Sequence, residues 1–157
     1  MADVLTPEQR HLNMSRIKNR NTKPEIILRK GLHSRGLRFR LHRRDLPGCP
    51  DIVFPARRVV IFVHGCFWHG HNCSFFKLPD TRTEFWGKKI ARNIERDRLA
   101  VEMLTQLGWR VMIVWECSLS KSNIQKNNLK LNYCEQFIKN NQSLTKAELP
   151  TSKPVSG

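Results

Sequence analysis

Long hydrophobic runs are absent from this sequence, and so is any segment typical of export. Its longest apolar run, VVIFV at residues 59–63, is far too short to cross a bilayer. The opening residues MADVLTPEQR contain no apolar core of the length that a signal peptide needs. We therefore expect a cytoplasmic protein with no membrane partner. In that reducing compartment five cysteines, an odd number, indicate metal ligands and buried thiols rather than a disulfide framework.

Acidic residues are also scarce. The 157 residues include 28 Lys and Arg but only 13 Asp and Glu, which gives a net charge of +15. The excess is concentrated between Arg10 and Arg58, where 14 cationic residues stand against three acidic ones. Such a surface attracts phosphates, because each contact with a phosphate releases condensed counterions. The composition thus favours a nucleic-acid partner over an acidic membrane surface.

The chain has no internal repeats, and its patterns predict a single α/β domain over residues 21–140. Apolar segments at 58–64 and 111–115 are typical of strands buried on both faces. Between them, a capping box that begins at Thr81 predicts a long helix ending before Gly108. Strand, helix and strand in this order imply a right-handed crossover, and therefore a mixed central sheet flanked by helices.

Shorter elements complete the predicted domain. A capping box at Thr22 predicts a first helix, and two short strands are expected at 37–41 and 51–54. A last helix is expected at 128–139. The tail over 141–157 is rich in Ser, Thr, Lys and Pro, and we expect it to be disordered.

The segment HGCFWHGHNC, residues 64–73, combines thiols, imidazoles and large aromatics in one polar loop. A structural zinc site takes four nitrogen or sulfur ligands in a tetrahedron. The predicted ligands are Cys66, His71, Cys73 and Cys117. The last of these follows the second buried strand, and parallel neighbours would bring the two strand ends together. The alternative, a small buried apolar thiol, suits Cys134, which lies at helical spacing with Leu131 and Ile138.

A zinc site alone fits two classes of protein, a zinc-stabilised DNA-binding module without catalysis and an enzyme that cuts nucleic acid with a second, hard metal. Carboxylates separate these classes, because Mg²⁺ takes oxygen ligands. Asp51 follows Pro50 at a strand end, where its expected neighbours are Arg43, Arg44, Arg57 and Arg58. The competing interpretation is a turn aspartate that only satisfies backbone donors.

Two further carboxylates are candidates for the same site. Asp97 falls on the apolar stripe of the long helix, which consists of Ile90, Ile94, Val101 and Leu104. An inward carboxylate is costly unless a cation, imidazole or metal accompanies it, so Asp97 indicates a polar site or a structural ion pair with Arg. Glu25 either faces that site or only caps the first helix together with Thr22.

His64 and His69 remain once His71 is assigned to zinc. Imidazole suits proton transfer near neutral pH, so a histidine beside metal-bound water is a natural general base. His69 lies in a loop with expected zinc ligands on both sides. Zinc would then hold the loop in place and would not be the hydrolytic metal.

Aromatic residues are the last unusual feature of this loop. Phe67 and Trp68 are consecutive in a short loop, so both cannot easily point into one core. An exposed aromatic in a basic protein can enter a base stack and kink the duplex. Trp86, near the start of the long helix, is a similar case, and core packing is the alternative for all three.

Five segments between Ser15 and Cys117 resemble, in order, the very-short-patch-repair (Vsr) DNA mismatch endonucleases. They are PGCPDIVF, VIFVHGCFWHGHNC, TRTEFW, NIERDR and LGWRVMIVWEC. The resemblance implies a restriction-endonuclease-like fold and a magnesium-dependent nickase. Its implied substrate is double-stranded DNA with a T:G mismatch left by deamination of 5-methylcytosine, cut on the 5′ side of the thymine to start very short patch repair. Since a mismatch has no two-fold symmetry, we expect a monomer, and other mismatch-repair proteins are possible partners.

The resemblance also implies residue roles. By position, Asp51 is a magnesium ligand and His69 the general base, in one active site with Glu25, His64 and Asp97. The implied zinc ligands are Cys66, His71, Cys73 and Cys117, and the aromatics implied to enter DNA are Phe67, Trp68 and Trp86. Residues 1–20, a basic segment, would contact DNA across the other groove.

The chain departs from restriction-type nucleases, which commonly carry an acidic-x-Lys pair on the strand after the first aspartate. Phe62 and His64 stand there instead, and the resemblance suggests that the backbone carbonyl of Val63 supplies the missing magnesium ligand. A main-chain oxygen and two non-ligand positions should tolerate varied side chains, so we expect Val63, Gly70 and Asn72 to be replaceable. A zinc nucleobase deaminase would need H-x-E and P-C-x-x-C motifs, and the sequence has neither.

Overall fold

A five-stranded mixed sheet organises the fold. This computed structural model describes residues 21–73, 76–119, 124–140 and 144–149. The strands are β1 (Arg40–Leu41), β2 (Ile52–Phe54), β3 (Val59–His64), β4 (Arg110–Trp115) and β5 (Lys146–Leu149), and they lie in this order across the sheet. The helices are α1 (Lys23–Ser34), α2 (Thr83–Gln106) and α3 (Ile124–Lys139), with 3₁₀ turns at Pro55–Arg57 and Glu116–Ser118. The predicted α/β class and mixed sheet are confirmed.

β3 and β4 form the centre of the sheet. They are parallel and in register, from Val59 opposite Arg110 to His64 opposite Trp115. Nearly all of their residues are buried, which accounts for the two continuous apolar runs in the sequence. β1 and β2 extend the sheet with antiparallel pairing. The parallel pairing brings the carboxyl ends of β3 and β4 to one edge, so the loops that follow them begin side by side.

Helices cover both faces of the sheet. On one face α1 and α3 pack against it through a core that includes Leu28, Leu32 and Phe137. On the other face α2 packs through Val101 and Leu104. The period-2 alternation of the strands supplies both cores, because successive side chains point to opposite faces.

The first helix begins where the sequence predicts. The Thr22 hydroxyl accepts the N–H of Glu25 at 3.4 Å, and a Glu25 carboxylate oxygen accepts the N–H of Asn21 at 3.1 Å. These bonds satisfy two donors near the helix start that have no intrahelical partner. α1 ends at Ser34, and Gly36 follows with a φ of 81° that a glycine adopts without strain.

The start of α2 differs from the prediction. The capping box at Thr81 does not form, because the N-cap is Arg82, which has a φ of 55° and makes no side-chain cap. Instead the Thr83 hydroxyl donates to the carbonyl of Pro79 at 2.8 Å. The predicted stripe is also partly wrong, since Ile94 is 46% exposed. Within the described ranges no helix, α2 included, is both long and apolar enough to cross a membrane.

The chain after α3 corrects the prediction of a disordered tail. Lys146–Leu149 forms β5, which pairs in parallel with residues 111–114 of β4. Ala147 and Leu149 are buried against the core of α1 and α3, and this alternation stabilises a strand at the sheet edge. α3 itself begins at Ile124, four residues before the prediction. The remaining tail residues, 141–143 and 150–157, lie outside the described residues, as does the basic segment 1–20.

Candidate active site

A cavity of about 480 Å³ opens where β2 begins and β3 ends. Its lining includes Asp51, the residue before β2, and His64, the last residue of β3. The loop after β3 contributes His69, and α2 contributes Asp97. Antiparallel pairing places the start of β2 beside the end of β3, which explains how residues far apart in sequence meet. The structure thus brings four of the predicted catalytic residues to one cavity.

Asp51 is held by the backbone of β3. Its Oδ2 accepts the N–H of Val63 at 2.7 Å, and its own N–H donates to the carbonyl of Ile61 at 3.1 Å. Burial raises the pKa of this carboxyl to about 7, the Val63 N–H opposes the rise, and neighbouring Glu25 adds to it. The N–H and C=O of a strand residue point to the same side, so the Val63 carbonyl leaves β3 on the side of Asp51. Both oxygens are donors of the kind that Mg²⁺ takes.

Glu25 lies beside Asp51 and is only 1% exposed. The ligand atoms of Glu25, His42 and Asp51 all lie within 4.8 Å of one another. His42 Nε2 is 3.1 and 3.0 Å from the two Glu25 oxygens, and Arg29 donates to Oε2 at 2.9 Å. Glu25 therefore caps α1 and also lies with His42 beside Asp51, but, unlike these two residues, it does not line the cavity. Its oxygens are already engaged by several donors, which fixes the orientation of the carboxylate.

His69 and Asp97 form a hydrogen-bonded pair across the cavity. His69 Nδ1 is 2.5 Å from Asp97 Oδ2, and both side chains are about one quarter exposed, at 26% and 28%. The partner of Asp97 is thus an imidazole and not an arginine. With the Nδ1 proton donated to Asp97, Nε2 of His69 is left as an acceptor, the arrangement of an oriented general base.

His64 lies behind His69. The two rings stack with centroids 3.8 Å apart and an angle of 2° between their planes. Burial lowers the pKa of His64 to about 3, His69 lowers it further, and Asp97 acts in the opposite direction. His64 is therefore neutral near pH 7. Its Nδ1 is buried and has no hydrogen-bond partner within the described residues.

The predicted zinc ligands form a second cluster beside the cavity. The nitrogen and sulfur atoms of Cys66, His71, Cys73 and Cys117 all lie within 4.8 Å of one another. Burial raises the pKa of the Cys66 and Cys117 thiols, so neither thiolate is favoured without a cation beside it. Three sulfurs and one nitrogen this close together are the donor set of a structural zinc site. Parallel pairing of β3 and β4 accounts for the approach of Cys117.

The loop between the two clusters depends on Gly70, contrary to the expectation that this position tolerates any side chain. Gly70 has a φ of 62°, a conformation that L-residues with a Cβ rarely adopt. A Cβ there would lie 2.7 Å from the side chains of Ile90 and Ile94. Loop and helix α2 therefore approach so closely that a side chain at this position would force Ile90 or Ile94 to move. The loop that carries His69 thus lies directly against the helix that carries Asp97.

Aromatic side chains form a third group, at the start of α2. The rings of Phe67, Trp68 and Trp86 meet edge to face, with centroids 5.2 to 5.8 Å apart. All three are half-buried, so each ring keeps part of its surface in solvent. Lys89 lies within 5.9 Å of the centroids of Trp68 and Trp86. The three residues predicted to enter DNA thus form one partly exposed aromatic surface.

Comparison with known proteins agrees with this geometry. Residues 2–75 match the family described as DNA mismatch endonuclease Vsr. The chain is 54% identical over 120 residues to the type II nicking enzyme V.XorIIP of Xanthomonas oryzae, covering 76% of this chain and 88% of that protein. It is 53% identical over 119 residues to the DNA mismatch endonuclease Vsr of Escherichia coli K12, covering 76% of each chain. A third relative, the nicking enzyme V.NmeAIP of Neisseria meningitidis, is 40% identical over 129 residues, which cover 82% of this chain and 92% of that protein.

The chain belongs to the Vsr family. The sheet and its flanking helices agree with the restriction-endonuclease-like fold expected for a Vsr protein. In place of the acidic-x-Lys pair of restriction-type nucleases, β3 carries Phe62 and His64. The His64 imidazole offers no oxygen to a metal ion, and its ring stacks on that of His69 instead.

The cations expected beside Asp51 do not surround it in this Vsr protein. Arg44 is the member of that group that lines the cavity. Arg43 is turned to the exposed carboxylate of Asp45 at 2.5 Å. Residues 57–58 follow β2 at the opposite end of the sheet. The expectation failed because it counted sequence neighbours, whereas an extended strand carries its two ends far apart.

His42 is a site residue that the sequence analysis missed. It follows β1 with a φ of 48°, and its N–H donates to the carbonyl of Asp51 at 3.0 Å. Its neighbours, RL before it and RRD after it, resemble a basic surface turn and carry no catalytic signature. Only the pairing of β1 with β2 places this imidazole against Glu25.

Proposed function

We propose that this protein is a magnesium-dependent nickase that cuts DNA on the 5′ side of the thymine in a T:G mismatch, and so starts very short patch repair. Family membership supports an endonuclease role in mismatch repair. The observation that carries the proposal is the cavity in which Asp51 stands across from the His69–Asp97 pair. A non-catalytic DNA-binding module would have no use for that arrangement.

The magnesium site we propose consists of Asp51 and the backbone carbonyl of Val63. Asp51 offers Oδ1, since Oδ2 accepts the Val63 N–H. Glu25, fixed by His42 and Arg29, adds a second carboxylate near the ion without being free to turn towards it. When bound, Mg²⁺ would neutralise charge on the phosphate and lower the pKa of a coordinated water. A cation there also favours the ionised form of a carboxyl whose pKa burial has raised to about 7.

His69 is the general base of the proposed reaction. Its Nε2 takes a proton from the attacking water, while Asp97 stabilises the imidazolium that forms. The water oxygen bonds to phosphorus, and the bond from phosphorus to the 3′ oxygen of the preceding nucleotide breaks. That 3′ oxygen takes a proton from solvent, and the thymine keeps the 5′ phosphate. His64 stays neutral and holds the plane of the His69 ring by stacking on it.

The thiol cluster has a structural role in this proposal. Zn²⁺ on Cys66, His71, Cys73 and Cys117 would close a tetrahedral site with no open position for water. His69 lies between the first two of these ligands in the chain. The proposed zinc therefore fixes the loop that presents the base, and the proposed magnesium acts on the phosphate.

Mismatch recognition is assigned to the aromatic surface of Phe67, Trp68 and Trp86. An aromatic side chain that enters the DNA base stack must separate neighbouring bases, and the free energy required is smallest at a mismatched pair. The position of this surface, directly after His64 in the chain, supports cleavage close to the entry point. The basic segment 1–20 is proposed to contact the DNA, and one protein molecule is proposed to act on one mismatch.

A nicking assay tests the proposal. The substrate is a duplex with one T:G mismatch in randomised flanking sequence, with each strand labelled separately. We expect cuts only on the thymine strand, and only with Mg²⁺. Asp51→Ala should abolish cutting while mismatch binding persists, and Asp45→Ala, an exposed carboxylate six residues away, should change neither. Binding without cutting by the unmodified protein in every context and metal would support the DNA-binding module instead.

A further inference from the structure

Trp115 lies between the thiol cluster and the catalytic histidines. It ends β4 and stands directly opposite His64 of β3. The His71 ring stacks on it with centroids 4.1 Å apart and planes 10° apart. The His64 ring meets Trp115 edge to face, with centroids 5.2 Å apart and an angle of 70° between the planes. His71, Trp115, His64 and His69 thus form a continuous ring column that runs from a zinc ligand to the general base.

The orientation of Trp115 is set from the neighbouring strand. Its indole Nε1 donates to Oε1 of Glu148 in β5. Glu148 stands opposite Ile113, two residues before Trp115, so both side chains project from the same face of the sheet. A buried indole N–H needs an acceptor, and Glu148 supplies it. The strand that was expected to be a disordered tail therefore holds the central member of the ring column.

Trp115 cannot act on DNA directly from this position. It is 8% exposed, and its neighbours are the two histidine stacks and the core beneath α2. His69, by contrast, is tied at Nδ1 to Asp97, and its ring plane rests on His64. The hydrogen bond fixes one point of the imidazole, and the stack fixes its plane. The direction in which Nε2 points therefore depends on what supports His64.

We propose that Trp115 and Glu148 are positioning residues that aim the general base through the ring column. This inference rests on the proposed function in one respect, the role of His69 as the base. Displacing a reacting group by about 1 Å can cost about 100-fold in rate without affecting binding. Loss of the Trp115 ring removes the support of His64, and loss of the Glu148 acceptor lets the indole turn.

Four variants separate the parts of the ring column. Trp115→Leu removes the ring, and Trp115→Phe keeps an aromatic ring but lacks the N–H. Glu148→Leu removes the acceptor, and Glu148→Gln keeps an acceptor oxygen. Trp109→Leu is the matched control, because Trp109 is equally buried at 8% exposure and lies before β4, at the other end of that strand.

The first measurement is the single-turnover nicking rate at saturating mismatch DNA. We expect a drop of about 100-fold for Trp115→Leu and about 10-fold for Trp115→Phe and Glu148→Leu. Glu148→Gln and Trp109→Leu should stay within about three-fold of the unmodified protein. The Kd for DNA and the zinc content should change little in all five. A drop in Trp109→Leu as large as that in Trp115→Leu would overturn the proposal, since any core damage would then suffice.

The second measurement needs no activity. In the zinc-loaded protein without DNA, NMR cross-peaks between the His64 and His69 ring protons report the stack. They should persist in Glu148→Gln and weaken in Trp115→Leu. Intact cross-peaks together with a rate within three-fold in Trp115→Leu would refute the positioning role. If the unmodified protein nicks no T:G duplex, the proposed function fails, and these cross-peaks still decide whether Trp115 and Glu148 hold the His64 and His69 rings in place. Should Trp115→Leu not fold, the same criteria apply to Glu148→Leu against Glu148→Gln.

Discussion

The two donor clusters of this protein lie side by side, yet they differ in chemistry and in what surrounds them. The thiol cluster is made of soft ligands on buried or half-buried residues that follow β3 and β4. The carboxylate group consists of Glu25, Asp51 and His42, and its Asp51 and His42 line a cavity large enough for a phosphate and several waters. Soft ligands without an open position suit a permanent ion, and oxygen ligands beside a cavity suit an exchangeable one.

The two clusters are expected to have opposite effects on the free energy of folding. The thiol cluster joins the ends of two central strands, so an ion bound there would contribute to the free energy of folding. The carboxylate group costs folding energy instead, since a buried carboxyl with a raised pKa is unfavourable when ionised. A change in the first cluster should therefore lower both stability and activity, whereas a change in the second should lower activity without lowering stability.

The largest expected effect is that of Cys117→Ser. The variant should not retain the proposed zinc and should unfold at least 10 °C lower, because a structural zinc contributes on the order of 10 kcal/mol in small domains. Metal analysis and calorimetry measure both quantities. Cys49→Ser is the control, since Cys49 is exposed and outside the cluster. A fully stable, active Cys117→Ser protein would show that the cluster does not hold the fold together.

Asp97→Asn should come next and should affect rate alone. The amide leaves His69 without an anionic partner, so the nicking rate should fall by about 100-fold to 1,000-fold. The midpoint of thermal unfolding and the Kd for DNA should stay nearly unchanged. Glu95→Gln, on the exposed face of the same helix, provides the comparison and should leave the rate as it is. Equal rates for the two variants would remove Asp97 from the reaction.

Asp51→Asn should stabilise the metal-free protein in a pH-dependent way. Burial raises the pKa of Asp51 to about 7 from the usual 3.8, so folding favours the protonated carboxyl. Below pH 4 the carboxyl is protonated in both states, and the variant should gain nothing. Between pH 4 and 7 the unfolded carboxyl ionises while the folded one stays protonated, so the unmodified protein loses stability over this range. Above pH 7 the variant should be more stable by roughly 2 to 4 kcal/mol.

Urea unfolding at pH 4 and pH 8 in buffer without Mg²⁺ measures this difference. A gain of equal size at both pH values would mean that the effect is unrelated to ionisation. Added Mg²⁺ should reverse the order at pH 8, because only the carboxylate of the unmodified protein binds the ion.

The smallest effects are expected from two glycines. Gly70→Ala should destabilise the protein by about 1 to 2 kcal/mol, since its Cβ would meet Ile90 and Ile94 in a left-handed conformation. Gly87→Ala, inside α2 with open space around it, should stabilise by about 0.5 to 1 kcal/mol. Chemical denaturation of both variants checks the pair, and effects of the same sign would contradict the close approach at Gly70.

Local patterns predicted the parts of the molecule that depend on local physics. Two continuous apolar runs became β3 and β4, and Thr22 caps α1 as its spacing indicates. The approach of Cys117 to the loop followed from parallel pairing alone. In each case one element and its neighbour suffice to determine the outcome.

Features that depend on several distant segments escaped prediction. His42 meets Glu25 only because β1 pairs with β2. Half of the residues of β5 are charged, yet this segment forms a strand because it pairs with the edge of β4. From this position Glu148 accepts the hydrogen bond of Trp115. The steric demand at Gly70 arises from Ile90 and Ile94 of α2, 20 and 24 residues later in the chain. Sequence spacing carries no record of such contacts.

The turn at Pro55–Arg57 lies at the end of β2 and the beginning of β3, away from the edge where Asp51 and His64 leave the same two strands. Ala56 is exposed in this turn, some 20 Å along the six-residue strand from the chemistry, at about 3.3 Å per residue. A fluorophore or a surface tether attached there would leave the proposed DNA-binding edge clear. Single-molecule observation of the protein searching along a duplex thus has a ready attachment point.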